Sequence, residues 1–333
     1  MRRLILVIAM AAAFMIPLGC GTSDKPSKVE TRPSLKLATM TAASHTYNQG
    51  AAKLAELVKA RTNGRLEIVV YPDGQLGKGE RELLEAVQQG TIDIYVGSTG
   101  PISGFSPSMA ILDIPFLFEN HAHVDRVLDG PVGKQLMEDL DKTGLKALAF
   151  WENGFRNLTN SKRPVRTPEE AKGLKIRTME NKIHLTAWKA IGVNAVPMAW
   201  GEVYGALQQG TIDGQENPVA VIYSSQLNEV QKYLSLTQHV YSPAIVIVSA
   251  KRWQGLSPED REVLAKTALE VASFQRRLGR ENEEKQVTEL ERKGMKVVRK
   301  IDKELWRKAM APAVKEFEAV FGREKIAAIM KHP

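Results

Sequence analysis

Apolar and polar positions follow two periods along this chain, one helical and one extended, and stretches of each alternate through most of its length. Residues 47–58 and 80–89 carry apolar positions at helical spacing, and glycines at 64 and 90 mark where these helices end. Apolar or alternating runs predict intervening strands at 35–39, 66–71, 92–96, 146–151, 174–179 and 244–248. The last run is almost entirely apolar, as expected for a strand buried on both faces. This order of elements indicates an α/β protein with mostly parallel sheets.

The longest predicted helix lies in the C-terminal third of the chain. Ser257 suits an N-cap, Pro258 suits the first helical position, and Asp260 completes a pattern like a capping box. The helical spacing then continues to about Lys293. At 1.5 Å per residue such a helix is roughly 50 Å long, so we expect it to run along two lobes as a spine. The alternative is two shorter helices that break at Gly279.

An internal repeat supports two lobes. The segment Gln-Gln-Gly-Thr-Ile-Asp at residues 88–93 recurs at residues 208–213, and the match extends backwards, with Glu and Ala at equivalent positions in both copies. Each copy has the pattern of a helix, a glycine cap and a short strand, and glycine adopts the left-handed cap conformation without a Cβ penalty. Two matched copies indicate two lobes built on one plan.

The N-terminus has the features of an export signal. Two arginines precede the uncharged apolar residues 4–16, and Pro17 and Gly19 end that run. The run is shorter than the about 20 residues that span a membrane. A charged start and an apolar stretch of this length predict a signal peptide over residues 1–20 and therefore an exported protein. The alternative is an anchor helix that is not cleaved.

Cys20, the only cysteine of the chain, follows the predicted signal sequence directly. A lone cysteine forms no internal disulfide, and the segment resembles the lipobox of bacterial lipoproteins, although Pro17 stands where Leu is usual. We therefore expect lipidation at Cys20 and anchoring to the membrane; the alternative is a free thiol near an ordinary cleavage site. Residues 21–33 are polar and rich in turn-forming residues, which predicts a flexible tether.

Composition and motifs narrow the function. The net charge is +8, or +6 without the two arginines of the signal (8 minus 2), and a basic excess fits an anionic partner. Export argues against nucleic acid. The sequence lacks the motifs of serine hydrolases, P-loop proteins, dinucleotide-binding proteins and zinc proteases. His121 and His123 have no third ligand nearby in the sequence, which favours a surface helix start over a metal site. We expect no enzyme activity, no metal and no cofactor.

Two arginines are candidates for binding an anion. Arg177 lies towards the carboxyl end of an apolar strand, where ligands bind in open α/β sheets, and its guanidinium matches a carboxylate in bidentate fashion. The equally probable alternative is an internal ion pair with Asp or Glu. Arg156 follows residues 151–155 just past a predicted strand end, and its alternative is an ordinary surface-loop arginine.

Two further residues could complete a pocket. Asn217 precedes Pro218, which holds its backbone extended, so its amide can point at a fixed spot; the alternative is a simple turn. Trp200 starts the helix of the second repeat, where its ring could wall a pocket, and ordinary packing is the slightly favoured alternative.

Several segments together resemble the solute-binding subunits of TRAP transporters, periplasmic systems for organic acids that do not use ATP. The longest covers residues 195–218, and the others are Tyr71-Pro72, Gln75-Leu76-Gly77, Ile114-Pro115-Phe116, Gly154-Phe155-Arg156 and Leu174-Lys175-Ile176-Arg177. The resemblance extends from residue 35 to nearly the C-terminus. It implies a two-lobed type II binding-protein fold with a long helix across both lobes. We expect lobe I to comprise 34–153 plus 243–282, and lobe II to comprise 154–242 plus 283–333.

The resemblance also implies roles for individual residues. Arg177 would clamp the ligand carboxylate with help from Arg156, Asn217 would add a hydrogen bond, and Trp200 would pack on the ligand. Sialate-binding members carry a glutamate where this chain has Gly97-Ser98-Thr99, which argues against sialate. Ser98 and His45 are further candidates for the pocket wall.

The expected function is extracytoplasmic capture of a small carboxylate, either a C4-dicarboxylate or a sugar acid. The protein would deliver this acid to the integral-membrane subunits of a TRAP transporter. The alternatives are a sensory receptor that presents its ligand to a signalling protein, and an extracytoplasmic enzyme built on a binding-protein fold.

Overall fold

One mixed sheet of nine strands forms the centre of the protein in a computed structural model, which describes residues 34–331. The strand order is β2-β1-β3-β8-β4-β7-β5-β6, and β9 also pairs with β8. The strands are β1 (Ser34–Ala38), β2 (Glu67–Tyr71), β3 (Ile94–Ser98), β4 (Leu145–Asn160), β5 (Lys175–Thr178), β6 (Asn194–Pro197), β7 (Gly214–Pro218), β8 (Tyr233–Ser249) and β9 (Lys296–Val298).

Twelve helices of residues 34–331 cover this sheet. They are α1 (Thr46–Arg61), α2 (Glu80–Gln89), α3 (His121–Asp129), α4 (Pro131–Asp141), α5 (Pro168–Ala171), α6 (Lys182–Ala190), α7 (Trp200–Gln208), α8 (Val219–Ser224), α9 (Ala250–Gly255), α10 (Pro258–Arg292), α11 (Lys303–Phe321) and α12 (Arg323–Met330). Short 3₁₀ segments at Gly100–Gly104, Pro107–Asp113 and Leu227–Glu229 complete the connections. No helix of the described part is long and apolar enough to cross a membrane.

The α/β prediction is confirmed, but the sheet is less parallel than expected. β1 to β3 pair in parallel at one end, and β5 pairs in parallel with β6 and β7 at the other. Between them β4 and β8 run antiparallel to each other along their whole length. These two long strands belong to both halves of the sheet and join them.

Both long strands exceed their predicted bounds. The apolar runs at 146–151 and 244–248 predicted short strands, but β4 continues to Asn160 and β8 begins at Tyr233. The additional residues include polar side chains that are buried, such as Arg156, Asn157 and Thr159. Each of these side chains forms a hydrogen bond with a neighbouring strand, so its polarity does not end the strand.

The two copies of the sequence repeat adopt the same local structure. Gly90 and Gly210 both take positive φ angles, 85° and 70°, at the end of α2 and α7. The repeat aspartates then serve the same purpose in each half: Asp93 accepts a hydrogen bond from the Lys36 amide, and Asp213 accepts one from the Lys175 amide, both at 2.8 Å. Each carboxylate therefore ties the repeat unit to the first residues of the neighbouring strand.

The predicted spine helix is continuous. α10 is 35 residues long and does not break at Gly279, so the alternative of two shorter helices is wrong. The Ser257 hydroxyl accepts from the Asp260 amide at 3.1 Å, which confirms the N-cap. The Asp260 side chain instead pairs with Arg65 at 3.1 Å. Further along, Arg280 bonds to Glu152 of β4 at 2.6 Å, which fastens the spine to the sheet.

Candidate functional site

A small cavity lies between the two halves of the sheet, and eleven residues line it. Tyr47 of α1, Glu80 of α2 and Ser98 at the end of β3 come from one side. Arg177 of β5 and Trp200 of α7 come from the other. The full lining is Met40, Thr41, Tyr47, Glu80, Ser98, Asn153, Arg177, Met179, Trp200, Asn217 and Val221.

Arg177 is the one guanidinium in this lining. It is only 2% exposed, and it donates from Nε and Nη2 to the Met198 carbonyl oxygen at 2.9 and 2.7 Å. Its Cζ lies 5.4 Å from the centre of the Trp200 ring. Within residues 34–331 it forms no ion pair, so the alternative of an internal ion pair with Asp or Glu is wrong. Burial lowers the pKa of Arg177 to about 10, while the nearby charge of Glu80 opposes this change.

Arg156 lies inside β4 rather than past a strand end, and it is completely buried, so both parts of its sequence-based description need correction. The reason is Glu216 on the adjacent strand β7, whose carboxylate pairs with Arg156 Nε at 2.6 Å and Nη2 at 2.9 Å. Arg156 is absent from the lining of the cavity. Its Nη1 is buried without a partner among the described residues.

Glu216 is the centre of a buried charged cluster that sequence patterns did not reveal. Besides Arg156, it contacts His239 Nε2 at 3.0 Å and His184 Nδ1 at 3.4 Å. His184 also contacts Asp113 at 3.2 Å through its other nitrogen. The cluster joins α6 to β4, β7 and β8.

The charged groups of this cluster change one another's pKa values. Burial alone would raise the pKa of Glu216, but the charges of Arg156 and His184 outweigh it and hold that pKa well below the ordinary value. Burial would likewise lower the pKa of His184, but Glu216 and Asp113 raise it. The pKa of His239 is lowered, chiefly by burial.

Asn217 and Trp200 both line the cavity. Asn217 lies in strand β7, so the alternative of a simple turn is wrong, whereas Trp200 also packs against the hydrophobic core. Asn217 lies in β7 opposite Asn157, and its amide donates to the Gln215 side-chain oxygen at 2.6 Å. Trp200 is the first residue of α7 and is half-buried. Its ring forms a wall beside the Arg177 guanidinium.

Ser98 lines the cavity and His45 does not. The Ser98 hydroxyl is 2.9 Å from the Ser242 hydroxyl, so part of its hydrogen-bonding capacity is already used. His45 caps α1, where its Nδ1 accepts from the Tyr47 amide at 3.2 Å. Through this cap His45 positions Tyr47, which does line the cavity and whose hydroxyl is buried without a partner in the described part.

Seven lining residues were not predicted from the sequence, among them Tyr47, Glu80 and Asn153. The sequence marked Tyr47 only as an apolar position of one predicted helix and Glu80 only as the first residue of another. Asn153 falls in β4 beyond the predicted end of that strand. None of these positions carries a local signal that separates a pocket residue from an ordinary one.

Direct contacts show that the cavity is closed. The Gly201 amide at the start of α7 donates to the Lys78 carbonyl just before α2, at 3.3 Å. Deeper in the molecule, Asn181 donates to the Gly100 carbonyl at 3.0 Å and to Asp113 at 2.8 Å. These contacts connect segments that lie on opposite sides of the cavity.

The histidine pair is structural. His121 does start helix α3, but His123 is 2% exposed and bonds to the Ile329 carbonyl at 2.8 Å, so it is not a surface residue. Residues 34–331 contain no group of three His, Cys, Asp or Glu that could hold a metal ion.

A closed cavity between two halves of one chain, with an unpaired guanidinium in its wall, is the site of a solute-binding protein for a small anion. The comparisons with known proteins agree. A family model for bacterial extracellular solute-binding proteins, family 7, matches residues 37–320. The chain belongs to this family.

Relatives of known structure extend the comparison. A TRAP periplasmic solute-binding protein from Polaromonas sp. JS666, bound to D-erythronate, is 45% identical with a TM-score of 0.88 over 90% of this chain and 98% of its own. One from Sulfurospirillum deleyianum DSM 6946, with bound succinate, is 30% identical with a TM-score of 0.85 over 90% and 98%. The 2,3-diketo-L-gulonate-binding periplasmic protein YiaO of Escherichia coli K12 is 39% identical over 85% of this chain and 86% of its own.

These findings confirm the resemblance to TRAP solute-binding subunits and the two-lobed fold. The chain is an extracytoplasmic solute-binding protein of this transport class. The predicted signal peptide, the predicted tether and Cys20 lie outside the described residues.

Proposed function

We propose that this protein captures one small carboxylate in the cavity beside Arg177 and delivers it to the membrane subunits of a TRAP transporter. The observation that carries this proposal is the state of Arg177, a buried cation that lines the cavity and has no carboxylate partner among residues 34–331. A buried charge without a counter-ion is unfavourable. A ligand carboxylate supplies the partner that the guanidinium lacks.

The other predicted residues then have distinct roles. Asn217 offers a hydrogen bond from the same side as Arg177, and Trp200 covers the ligand body. Arg156 does not line the cavity and acts at a distance through its positive charge, which also lowers the pKa of Glu80 against the effect of burial. Ser98 contributes to the opposite wall. His45 supports Tyr47 without touching the ligand.

The ligand class is a C4-dicarboxylate or a sugar acid. Structural relatives with bound D-erythronate and with bound succinate support both classes.

We propose further that the chain passes between its lobes at 153/154 and 242/243. Support comes from β4, whose register with β8 shifts between Glu152 and Gly154, and from Gly154 itself, with a φ of 122°. Such an irregularity in two joined strands can act as a hinge. Small-angle scattering should show a more compact particle with ligand than without it.

Two proposals concern the fate of the chain and of the ligand. A lipid on Cys20 would hold the protein at the membrane, and mass spectrometry of membrane fractions should find that modified N-terminus. The ligand should leave the protein unchanged, because the family to which the chain belongs consists of solute-binding proteins. Chromatography of the acid after prolonged incubation tests this second proposal.

Arg177→Lys tests the anchor. The variant keeps the positive charge but loses the planar guanidinium that can bond to both carboxylate oxygens. Calorimetry should therefore show binding weakened by about 2–5 kcal/mol. The matched control is Arg299→Lys, which changes a surface arginine paired with Glu291 and should bind like wild type. Unchanged affinity in the Arg177→Lys variant would show that Arg177 is not the anchor.

A further inference from the structure

The cavity contains one carboxylate that the anchoring of an acid does not require. Glu80 is the first residue of α2, and its side chain lines the same space as Arg177 and Trp200. Within residues 34–331 Glu80 forms no ion pair. It accepts a long hydrogen bond, 3.4 Å, from the Tyr95 hydroxyl and another from the Ser98 backbone amide. An ionised carboxylate can accept about four hydrogen bonds, so part of its capacity is still free.

A second free acceptor lies in the same wall. The side-chain oxygen of Asn153 is buried without a partner among the described residues, and Asn153 is only 8% exposed. The Tyr47 hydroxyl, also buried and unpartnered, can act as donor or acceptor. Free acceptors in a closed cavity need donors from the ligand, because unsatisfied buried polar groups are unfavourable. Hydroxyl groups are such donors, whereas an ionised carboxylate has no proton to donate.

The charges in the cavity also favour a ligand with one carboxylate over a ligand with two. Arg177 is the only cation in the described lining, and the charge of Arg156 behind it is already paired with Glu216 at 2.6 Å. One ligand carboxylate is matched by Arg177. A second would meet the carboxylate of Glu80 in a small space, where like charges repel strongly. Burial raises the pKa of Glu80, and the charges of Arg177 and Arg156 offset only part of that rise.

We infer that Glu80 accepts hydrogen bonds from ligand hydroxyl groups and makes the protein selective for a hydroxylated monocarboxylate, a short sugar acid, over a C4-dicarboxylate. This inference rests on the proposed function, in which Arg177 holds the ligand carboxylate.

Glu80→Gln tests the inference, because it keeps the size of the side chain and removes the charge. The probes are four- and six-carbon aldonates on one hand and succinate on the other, each titrated by calorimetry. Wild type should bind at least one aldonate more tightly than succinate. The variant should lose about 10- to 100-fold in aldonate affinity, as expected for a hydrogen bond to a charged group. Its succinate affinity should be unchanged or higher.

The matched control is Glu85→Gln on the same helix, whose side chain is 47% exposed and pairs with Arg81. This variant should bind like wild type, and thermal unfolding should show that both variants are folded. The inference is overturned if wild type binds succinate as tightly as every aldonate, or if Glu80→Gln weakens both classes equally. In either case a loss of binding in Arg177→Lys would leave the proposed function standing. Wild type that binds no carboxylate at all would instead refute the proposed function.

Discussion

Removing one partner of the buried pair of Arg156 and Glu216 should destabilise the fold strongly, and Glu216→Gln is the sharpest test. Both side chains are completely buried, and they meet at 2.6 Å and 2.9 Å through two nitrogens of the guanidinium. The substitution preserves the shape of the side chain and removes its charge. Arg156 would then remain buried next to His184 without a full counter-ion.

The expected loss is large because the desolvation of Arg156 is no longer offset. Removing one partner of a buried ion pair typically lowers the free energy of unfolding by about 3–5 kcal/mol. The exposed pair of Arg299 and Glu291, at 2.8 Å and with side chains 39% and 37% exposed, provides the matched control. Surface pairs of this kind contribute about 0.2–1 kcal/mol, so Glu291→Gln should change stability little.

Urea unfolding followed by circular dichroism measures both variants against wild type. The same chemical change in the same kind of pair should produce a several-fold larger loss at position 216 than at position 291. Equal losses would refute the reasoning, since Glu216 differs from Glu291 both in its burial and in its two histidine contacts.

The same pair has a pH signature. The folded protein holds the pKa of Glu216 well below its ordinary value of 4.5, because Arg156 and His184 outweigh the effect of burial. A lowered carboxyl pKa stabilises the fold above the unfolded pKa, and this contribution is lost as the pH falls towards the folded value. Wild type should therefore lose stability below about pH 4.5 more steeply than Glu216→Gln.

Two further predictions concern the cluster and the cleft. The raised pKa of His184 stabilises the fold only while this histidine is protonated, so wild type should lose stability as the pH rises above 6.5. His184→Gln should lose less stability over the same range. Urea midpoints across pH 6–9 test this, and parallel curves for the two proteins would contradict it. Gly201→Ala should weaken ligand affinity by about 1–3 kcal/mol, since a Cβ there would lie 2.7 Å from the Lys78 carbonyl across the closed cleft. The control is Gly205→Ala on the same helix, where a Cβ meets nothing within 4 Å. Calorimetry should show normal binding for this control.

Sequence patterns by themselves determined the features that depend on neighbours along the chain. The repeat predicted matched helix, cap and strand units, and the structure shows them with equivalent aspartate contacts. The cap at Ser257 and the helical spacing after it predicted the spine helix. Arg177 was placed on its strand from the apolar residues around it. These features follow from helical and extended periods and from capping, which act over a few residues.

Only the tertiary structure decided which polar residues are buried and what they face. Arg156 is a buried, paired residue because Glu216, 60 positions later, lies beside it on β7. The strands β4 and β8 continue through polar residues because each supplies the other's hydrogen bonds. Glu80 and Tyr47 reach the cavity only because distant segments close around them. Pairing between residues far apart in sequence offsets the cost of burying charge, and that pairing leaves no local pattern to detect.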